Sequence, residues 1–433
     1  MEYYGYAGKV AYVDLSNQKV RIGPLDMEMA KKFIGGLGVN QALMYNELKP
    51  GTDPFSPENV IVAGTGPWVG TIIPGCARTH VTTRLPMAGA VASPGGSMNF
   101  AWYLKTAGFD HIVITGRAKK PVYIFVTDNE VKILDAGELW GRDIAEATHA
   151  IWAKHGNCGV IAMGQAGENL VKLAMCFIDA TTTCGRGGLG AVFGSKNLKA
   201  IVTQGTGPIK IAQPERVKKT VDWLQRRARK WEHRQVIMNM GIMENWTMYD
   251  RQFSDVKLGR ECYPADKADK LFGLDQYFRL KKHNYCCISC FVADKDYLEI
   301  NEGKYAGLKM TTSTMANAGL FALMTFDLNS AEEAVYVEDL LDRYGIDGMD
   351  FSKMMDAMIC LFEEGKITEK QTDGLVPRRK DPELLATVIK QIAFRQGIGN
   401  AMADGWAALS EKLGVDLYRI CRITKNLSTY IDP

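Results

Sequence analysis

Gly205-Thr-Gly-Pro-Ile-Lys-Ile-Ala-Gln-Pro214 divides this chain into two unlike halves. Glycine and proline at these positions disfavour regular structure, so the stretch reads as a linker. Upstream, the apolar residues follow strand patterns. Lys9-Val-Ala-Tyr-Val-Asp-Leu15 alternates, and Lys19-Val-Arg-Ile22 follows a turn at Ser16-Asn17, which predicts a hairpin. Val122–Val126 and Val131–Leu134 flank Asp128-Asn129, a second hairpin signal. Asn59–Ala63, His111–Thr115 and Val160–Met163 are short apolar runs closed by glycine, as buried strands are. A helix is expected over Ile144–Trp152. Downstream the period changes. Glu215–Lys230 is a charged amphipathic run. Ala331–Arg343, Phe351–Glu364, Pro382–Arg395 and Ala401–Leu413 repeat apolar residues every three or four positions. Asn329-Ser330 opens one helix and Gly397-Ile-Gly399 is expected to stop another. The fold class predicted is α+β: a β-rich N-terminal domain over residues 1–208, then an all-helical domain over residues 209–433. No tandem repeat is visible.

Composition narrows the function. In 433 residues, 52 Lys and Arg face 49 Asp and Glu, a net charge of +3. That balance argues against a nucleic-acid binder. Apolar residues make up 46% without any run long enough to span a membrane, so a cytoplasmic protein is expected. The start of the chain, Met1-Glu2-Tyr3-Tyr4-Gly5, carries no secretory signature.

Two constellations carry chemistry. The first is glycine: Gly64-Thr-Gly66, Pro74-Gly75-Cys-Ala-Arg78, Pro94-Gly95-Gly96 and Cys184-Gly185-Arg186-Gly187-Gly188, with Lys196 further on. Glycine lets backbone N–H groups line an anion site, and Arg78, Arg186 and Lys196 would add charge there. Tight turns alone would leave the same pattern, and no phosphate-loop motif is present. The second is cysteine. Seven of the ten cysteines stand singly, while Cys286, Cys287 and Cys290 cluster. Cys287-x-x-Cys290 suits an iron–sulfur cluster or zinc, and equally a trio of packed thiols. His283 and Asp294 are near in sequence, and Cys360 and Cys421 are distant ligand candidates on spacing.

The sequence resembles the tungsten- or molybdenum-dependent aldehyde ferredoxin oxidoreductase family along nearly its whole length. The resemblance rests on Gly35-Gly-Leu-Gly38, Phe55-Ser-Pro-Glu-Asn59, Leu104-Lys-x-Ala-Gly-Phe-Asp110, Gly164-Gln-Ala-Gly-Glu-Asn-Leu-Val171, Gly185-Arg-Gly-Gly-Leu-Gly-Ala-Val-Phe-Gly-Ser-Lys-Asn-Leu-Lys-Ala-Ile201 and Asp342-Arg-Tyr-Gly-Ile-Asp347. It implies a tungsten or molybdenum ion held by two pterin dithiolenes, a [4Fe–4S] cluster, and Mg²⁺ bridging pterin phosphates. It implies anaerobic oxidation of aldehydes to carboxylates, with electrons passed to a ferredoxin-like acceptor. By the same resemblance the cofactor-binding residues are Arg78, Ser93, Gly95, Gly96, Thr183, Arg186, Gly187, Asp342, Ile346 and Asp347, facing one cleft. The cluster ligands are Cys287 and Cys290, with Asp294 in the family's third cysteine position and Cys286 as a substitute.

Departures from the family pattern open alternatives. Ser93 stands where the family has Asn, and Thr182 where it has Arg. Leu308–Thr314, with Thr311 and Thr312, lacks the family's carboxylate. A branch reducing benzoyl-CoA is a second reading. Glu244 lies in the region of its site, but Met248 and Tyr249 occupy the expected histidine neighbourhood. Leu427–Pro433 ends where the resemblance expects a third domain, so the expectation is of a chain lacking it: a split or non-catalytic scaffold subunit with a companion polypeptide, or a homo-oligomer. The substrate class expected is an aldehyde or acyl-CoA.

Overall fold

The computed structural model describes residues 4–245, 255–313 and 318–429. The chain forms two compact units. The first comprises Met1–Leu170, Ala174–Arg234 and Cys286–Ala293, and the second Val171–Leu173, Gln235–Tyr285 and Asp294–Pro433. Among the described residues no helix is long and apolar enough to cross a membrane.

The first unit is built on two mixed sheets. Strands β1 (Lys9–Asp14) and β2 (Lys19–Pro24) form the first hairpin, with Asp14 opposite Lys19. The Asp14 carboxylate accepts from the Ser16 and Asn17 N–H groups, which sets the turn chemically. With β3 (Ile61–Thr65), β4 (Thr79–Arg84), β5 (Val91–Ala92), β6 (Gly95–Gly96) and β7 (His111–Thr115) they give the order β2-β1-β7-β3-β4-β5, and β6 also pairs with β4. The second sheet takes β8 (Val122–Thr127), β9 (Glu130–Asp135), β10 (Gly159–Met163), β11 (Cys176–Ile178), β12 (Thr182–Thr183) and β13 (Leu198–Thr203), in the order β12-β11-β10-β13-β8-β9.

The two sheets share one plan. Each opens with a hairpin, runs through a helix into an antiparallel strand pair, and closes with a last strand. That last strand inserts parallel to the first: β7 beside β1, and β13 beside β8. The sequence shows no repeat, but the topology does. Equivalent short strands, β6 and β12, meet where the halves adjoin. A Cβ on Gly96 would stand 2.9 Å from the Thr183 carbonyl oxygen, so glycine is what lets these strands approach. An apolar core of Ala11, Ile61, Phe100, Ile112, Ile124, Ile161 and Phe193, among others, joins residues from both sheets.

The second unit is mainly helical, as the apolar period predicts. Helices span Ala331–Tyr344, Gly348–Glu363, Pro382–Ala393, Gly397–Ala403 and Trp406–Leu413. Ser330 caps the first by accepting from the Glu333 N–H, while Glu333 accepts from the Asn329 N–H. The expected stop at Gly397-Ile-Gly399 is a start instead. The chain turns at Arg395, breaks again at Gly405 in the left-handed region (φ 93°), and so divides the helix expected over Ala401–Leu413. Gly399 serves packing: a Cβ there would sit 2.2 Å from the Gln391 carbonyl carbon. The unit also carries a three-stranded antiparallel sheet, Lys281–Tyr285, Lys295–Glu299 and Lys309–Thr312. Its first strand reads Lys-Lys-His-Asn-Tyr and is largely exposed, so it leaves no apolar alternation to detect.

Candidate functional site

Several motif residues turn out to be structural. Lys105 and Asp110 form a salt bridge with both side chains wholly buried. Asp110 also accepts from Ala7 N (3.1 Å) and Gly8 N (2.7 Å), and Lys105 donates to Gly5 O, so the pair clasps the N-terminal segment. Glu168 and Lys199 form a second buried pair, linking two motifs. Those motifs also interlock through backbone contact, because a Cβ on Gly194 would lie 1.9 Å from Gly167 O. Lys196, expected at an anion site, is fully buried and donates to Pro57 O and Gly116 O at 3.0 Å each. Burial pushes its ammonium down to about 7. It ties loops together and faces no anion site.

The candidates left over converge. Arg78 is exposed and donates to Gly95 O at 2.7 Å. Gly95 and Gly96 pair with His80 and Thr79 on β4. Gly96 abuts Thr183, whose hydroxyl accepts from the Gly185 N–H at 2.8 Å. Gly185 and Gly187, on either side of Arg186, take φ of 97° and 105°, and the Gly187 carbonyl accepts from Met87 N. Positive φ at both glycines opens the backbone around Arg186. Ser93 is engaged beside this patch, bonded to Thr82 Oγ1 (2.8 Å) and accepting from Gln41 Nε2 (2.7 Å). A wide concavity of about 1400 Å³ near Lys31, Tyr45 and Val91 is lined by none of these candidates.

In the second unit the candidates follow the first long helix. Gly345 closes it in the left-handed conformation, Ile346 is fully buried, and Asp347 caps the next helix by accepting from Met349 N and Asp350 N. The Asp347 N–H donates to Leu173 O at 3.0 Å, which draws Val171–Leu173 into this unit. Sequence reasoning missed Glu338, one turn before Asp342 and buried among Asp339, Asp342 and Asp347. Its Oε2 is buried without a hydrogen-bond partner. Burial, with Asp347 nearby, raises the Glu338 carboxyl to about 8; burial beside Glu338 and Asp339 holds Asp342 far above the carboxylate range. The signal was present in the sequence, an acid four residues before the motif's first aspartate on the same helix face.

This carboxyl makes stability pH-dependent. Between the ordinary Glu value and about 8, folded Glu338 keeps a proton that the unfolded chain has released, so its contribution falls as pH rises. Glu338→Gln, always neutral, is expected to reduce the loss of thermal midpoint between pH 5 and pH 8. Equal losses in both proteins would refute this.

The cysteine turn folds with the strand-rich unit, although its sequence neighbours belong to the other. Cys287 is buried in the first unit's core, Cys290 packs against that core, and Cys290 N donates to Cys287 O at 3.1 Å. Cys286 is exposed. Asp294 groups with the second unit and pairs with Lys295 at 2.9 Å. His283 stacks on Tyr297. Cys360 contacts Asp356 and Arg379, and burial beside Asp356 pushes its thiol to about 12, which keeps it protonated. Cys421 is likewise raised to about 12 by burial. Among the described residues no three His, Cys, Asp or Glu side chains stand close enough to hold one metal ion. Glu244 lies in a short helix at Gly241–Asn245 and Thr311 lies on the strand Lys309–Thr312, whereas Met248, Tyr249, Thr314 and Tyr430–Pro433 lie outside the described residues.

Comparison with known proteins agrees with this architecture. Residues 10–205 match the family model of the aldehyde ferredoxin oxidoreductase N-terminal domain. Residues 219–428 match the model of that family's domains 2 and 3. That model takes the family's two later domains together, and the chain spans about two thirds of the length of the curated relatives it matches. The tungsten-containing aldehyde ferredoxin oxidoreductase of Pyrococcus furiosus is 30% identical over 426 residues, which cover 95% of this chain and 68% of that protein. The enzyme of the same description from Thermococcus kodakarensis is also 30% identical, with 95% and 68% covered. The WOR-like subunit of the Pyrococcus furiosus aliphatic sulfonate oxidoreductase is 28% identical, with 98% and 71% covered. In fold, the chain superposes on the active-site complex BamBC of benzoyl-coenzyme A reductase bound to 1,5-dienoyl-CoA. The TM-score is 0.87 at 24% identity, over 98% of this chain and 66% of that one. With two sheets of one topology, the interlocked glycine motifs and these matches in hand, the chain belongs to the aldehyde ferredoxin oxidoreductase family of oxidoreductases.

Proposed function

We propose that this protein is a tungsten- or molybdenum-pterin oxidoreductase that oxidises aldehydes to carboxylic acids and passes the electrons through a [4Fe–4S] cluster to a ferredoxin-like acceptor. The observation that carries the reading is the convergence of Arg78, Gly95-Gly96, Thr183 and Gly185-Arg186-Gly187 at the join of two topologically equivalent sheets. An exposed Arg78 against the Gly95-Gly96 strand, and Arg186 between two positive-φ glycines, suit a phosphorylated ligand. In the second unit, carboxyls suit the N–H groups of a pterin ring. Asp342 and Glu338, held protonated by burial, can also donate one hydrogen bond each.

The residues present fit such a group. Arg78 and Arg186 would neutralise its phosphates, directly or through Mg²⁺, and the positive-φ glycines would let the backbone approach it. Within the second unit, Asp342 and Asp347 would bond the N–H groups of a pterin ring. Cys287 and Cys290 would hold the iron–sulfur cluster. When bound, the pterin metal supplies two-electron oxidation at the aldehyde carbon, while the chain supplies position, charge balance and dryness.

The test is anaerobic purification with tungstate or molybdate supplied, followed by W, Mo and Fe analysis and fluorescence of extracted, oxidised pterin. Wild type is expected to carry all three signals: metal, iron and pterin. Arg78→Ala with Arg186→Ala should remove the pterin and its metal and leave the iron. Wild-type protein containing iron but no pterin would reject the cofactor reading.

A further inference from the structure

The loop Ile73–Ala77 and the turn Cys287–Cys290 face each other inside the first unit. Ser289 Oγ donates to Ile73 O at 3.3 Å, and Cys76 Sγ lies 4.0 Å from the same Ser289 Oγ. Ala77 belongs to the apolar cluster that also holds Cys287 and against which Cys290 packs. Thiols some two hundred positions apart in sequence are thus brought to one place. Nothing in the sequence spacing links Cys76 to the cluster.

The donor set is informative. A single tetrahedral ion draws its thiolates to within about 4 Å of one another, given metal–sulfur bonds of about 2.3 Å. Among the described residues no group of three His, Cys, Asp or Glu side chains forms a site for one ion. Thiols carried on facing loops suit a multinuclear cluster, which takes thiolates from separate segments of chain. The rival third ligand is engaged otherwise: Asp294 pairs with Lys295 at 2.9 Å.

We propose that Cys76 is a thiolate ligand of the iron–sulfur cluster, completing a set with Cys287 and Cys290 that the sequence pattern had assigned to Asp294. The proposal rests on the cluster reading above. The Cys76 thiol donates to Trp68 O (3.1 Å) and Ile73 O (3.0 Å), which hold it on the loop. Ligation removes that proton and with it both bonds, so the sulfur is released toward iron. Arg78 follows two residues later on the same loop. Ligation by Cys76 would therefore join the cluster covalently to the segment that carries a cofactor arginine, a short route for electrons between the two centres.

The experiment uses the anaerobically purified full chain and reads iron and acid-labile sulfide per chain, with the EPR spectrum of the dithionite-reduced protein. Cys76→Ser is expected to lose about one iron in four or more and to change the EPR signal, since a cubane corner loses its thiolate. Asp294→Ser is expected to keep wild-type iron content. Wild-type iron and EPR in Cys76→Ser, with loss in Asp294→Ser or only in Cys287→Ser/Cys290→Ser, overturns the role of Cys76 and leaves the cluster reading standing. Wild-type protein without iron overturns both. Alkylation of the wild-type protein, read by mass spectrometry, covers the case of a variant that misfolds. Cys76 should be protected while iron is bound and labelled once iron is stripped; equal labelling in both states counts against ligation.

Discussion

Replacing Cys287 and Cys290 together with serine is expected to abolish the iron–sulfur absorption of the anaerobically purified protein and reduce its iron and sulfide to background. Cys287 is buried in the core of the strand-rich unit, and Cys290 lies one turn away against the same core. Serine keeps the size of each side chain but replaces a soft sulfur ligand by a hydroxyl, which binds iron poorly. Because the change in volume is small, the fold should survive, and far-UV circular dichroism should match wild type. Retention of full iron and sulfide would remove the turn from any role in metal binding. It would leave the pterin reading untouched, because Arg78 and Arg186 act on a different group.

Lys105→Met is expected to destabilise the chain by about 3–5 kcal/mol, the usual cost of leaving one partner of a buried ion pair uncompensated. Both side chains of the Lys105–Asp110 pair are fully buried. Asp110 would keep its bonds from Ala7 N and Gly8 N, but without a cation beside it. Methionine fills similar volume, so the loss reports charge more than cavity. The double variant Lys105→Met/Asp110→Asn is expected to recover part of the loss, because replacing both charges is far less costly than removing one. Chemical denaturation checks both, with midpoints and slopes compared. A loss below about 1 kcal/mol for Lys105→Met would show that water or a rearranged neighbour already compensates Asp110.

Local chemistry by itself determined many of the elements. The turn at Ser16-Asn17 is legible because Asp14 can bond the next N–H groups. The strands at His111–Thr115 and Gly159–Met163 are legible because each is an unbroken apolar run buried on both faces. The helix at Ala331–Tyr344 is legible because Ser330 caps it and its apolar period continues through Leu341. The segregation of strands before residue 205 from helices after 331 followed from these signals, and the family followed from motif order.

Only the tertiary structure decided what the motif residues do. Lys196 looks like chemistry in a sequence, because charge beside glycine suggests a ligand, while Lys105, Asp110, Glu168 and Lys199 stand in the motifs that carry the family resemblance. Burial turns them into internal ties: the cost of desolvating a charge is met by a partner that sequence spacing does not name. The partner of Lys196 is a pair of carbonyls at Pro57 and Gly116, and that of Lys199 is Glu168, some thirty positions away. The same holds for the cysteines. Sequence neighbours of Cys287 belong to the other unit, yet the turn is drawn into the first unit's core beside Cys76, because apolar burial acts on proximity in space. Glu338 was legible only in part. Its place on the helix face could be read from a four-residue spacing, but its unpartnered Oε2 and raised carboxyl depend on the packing of Asp339, Asp342 and Asp347 around it.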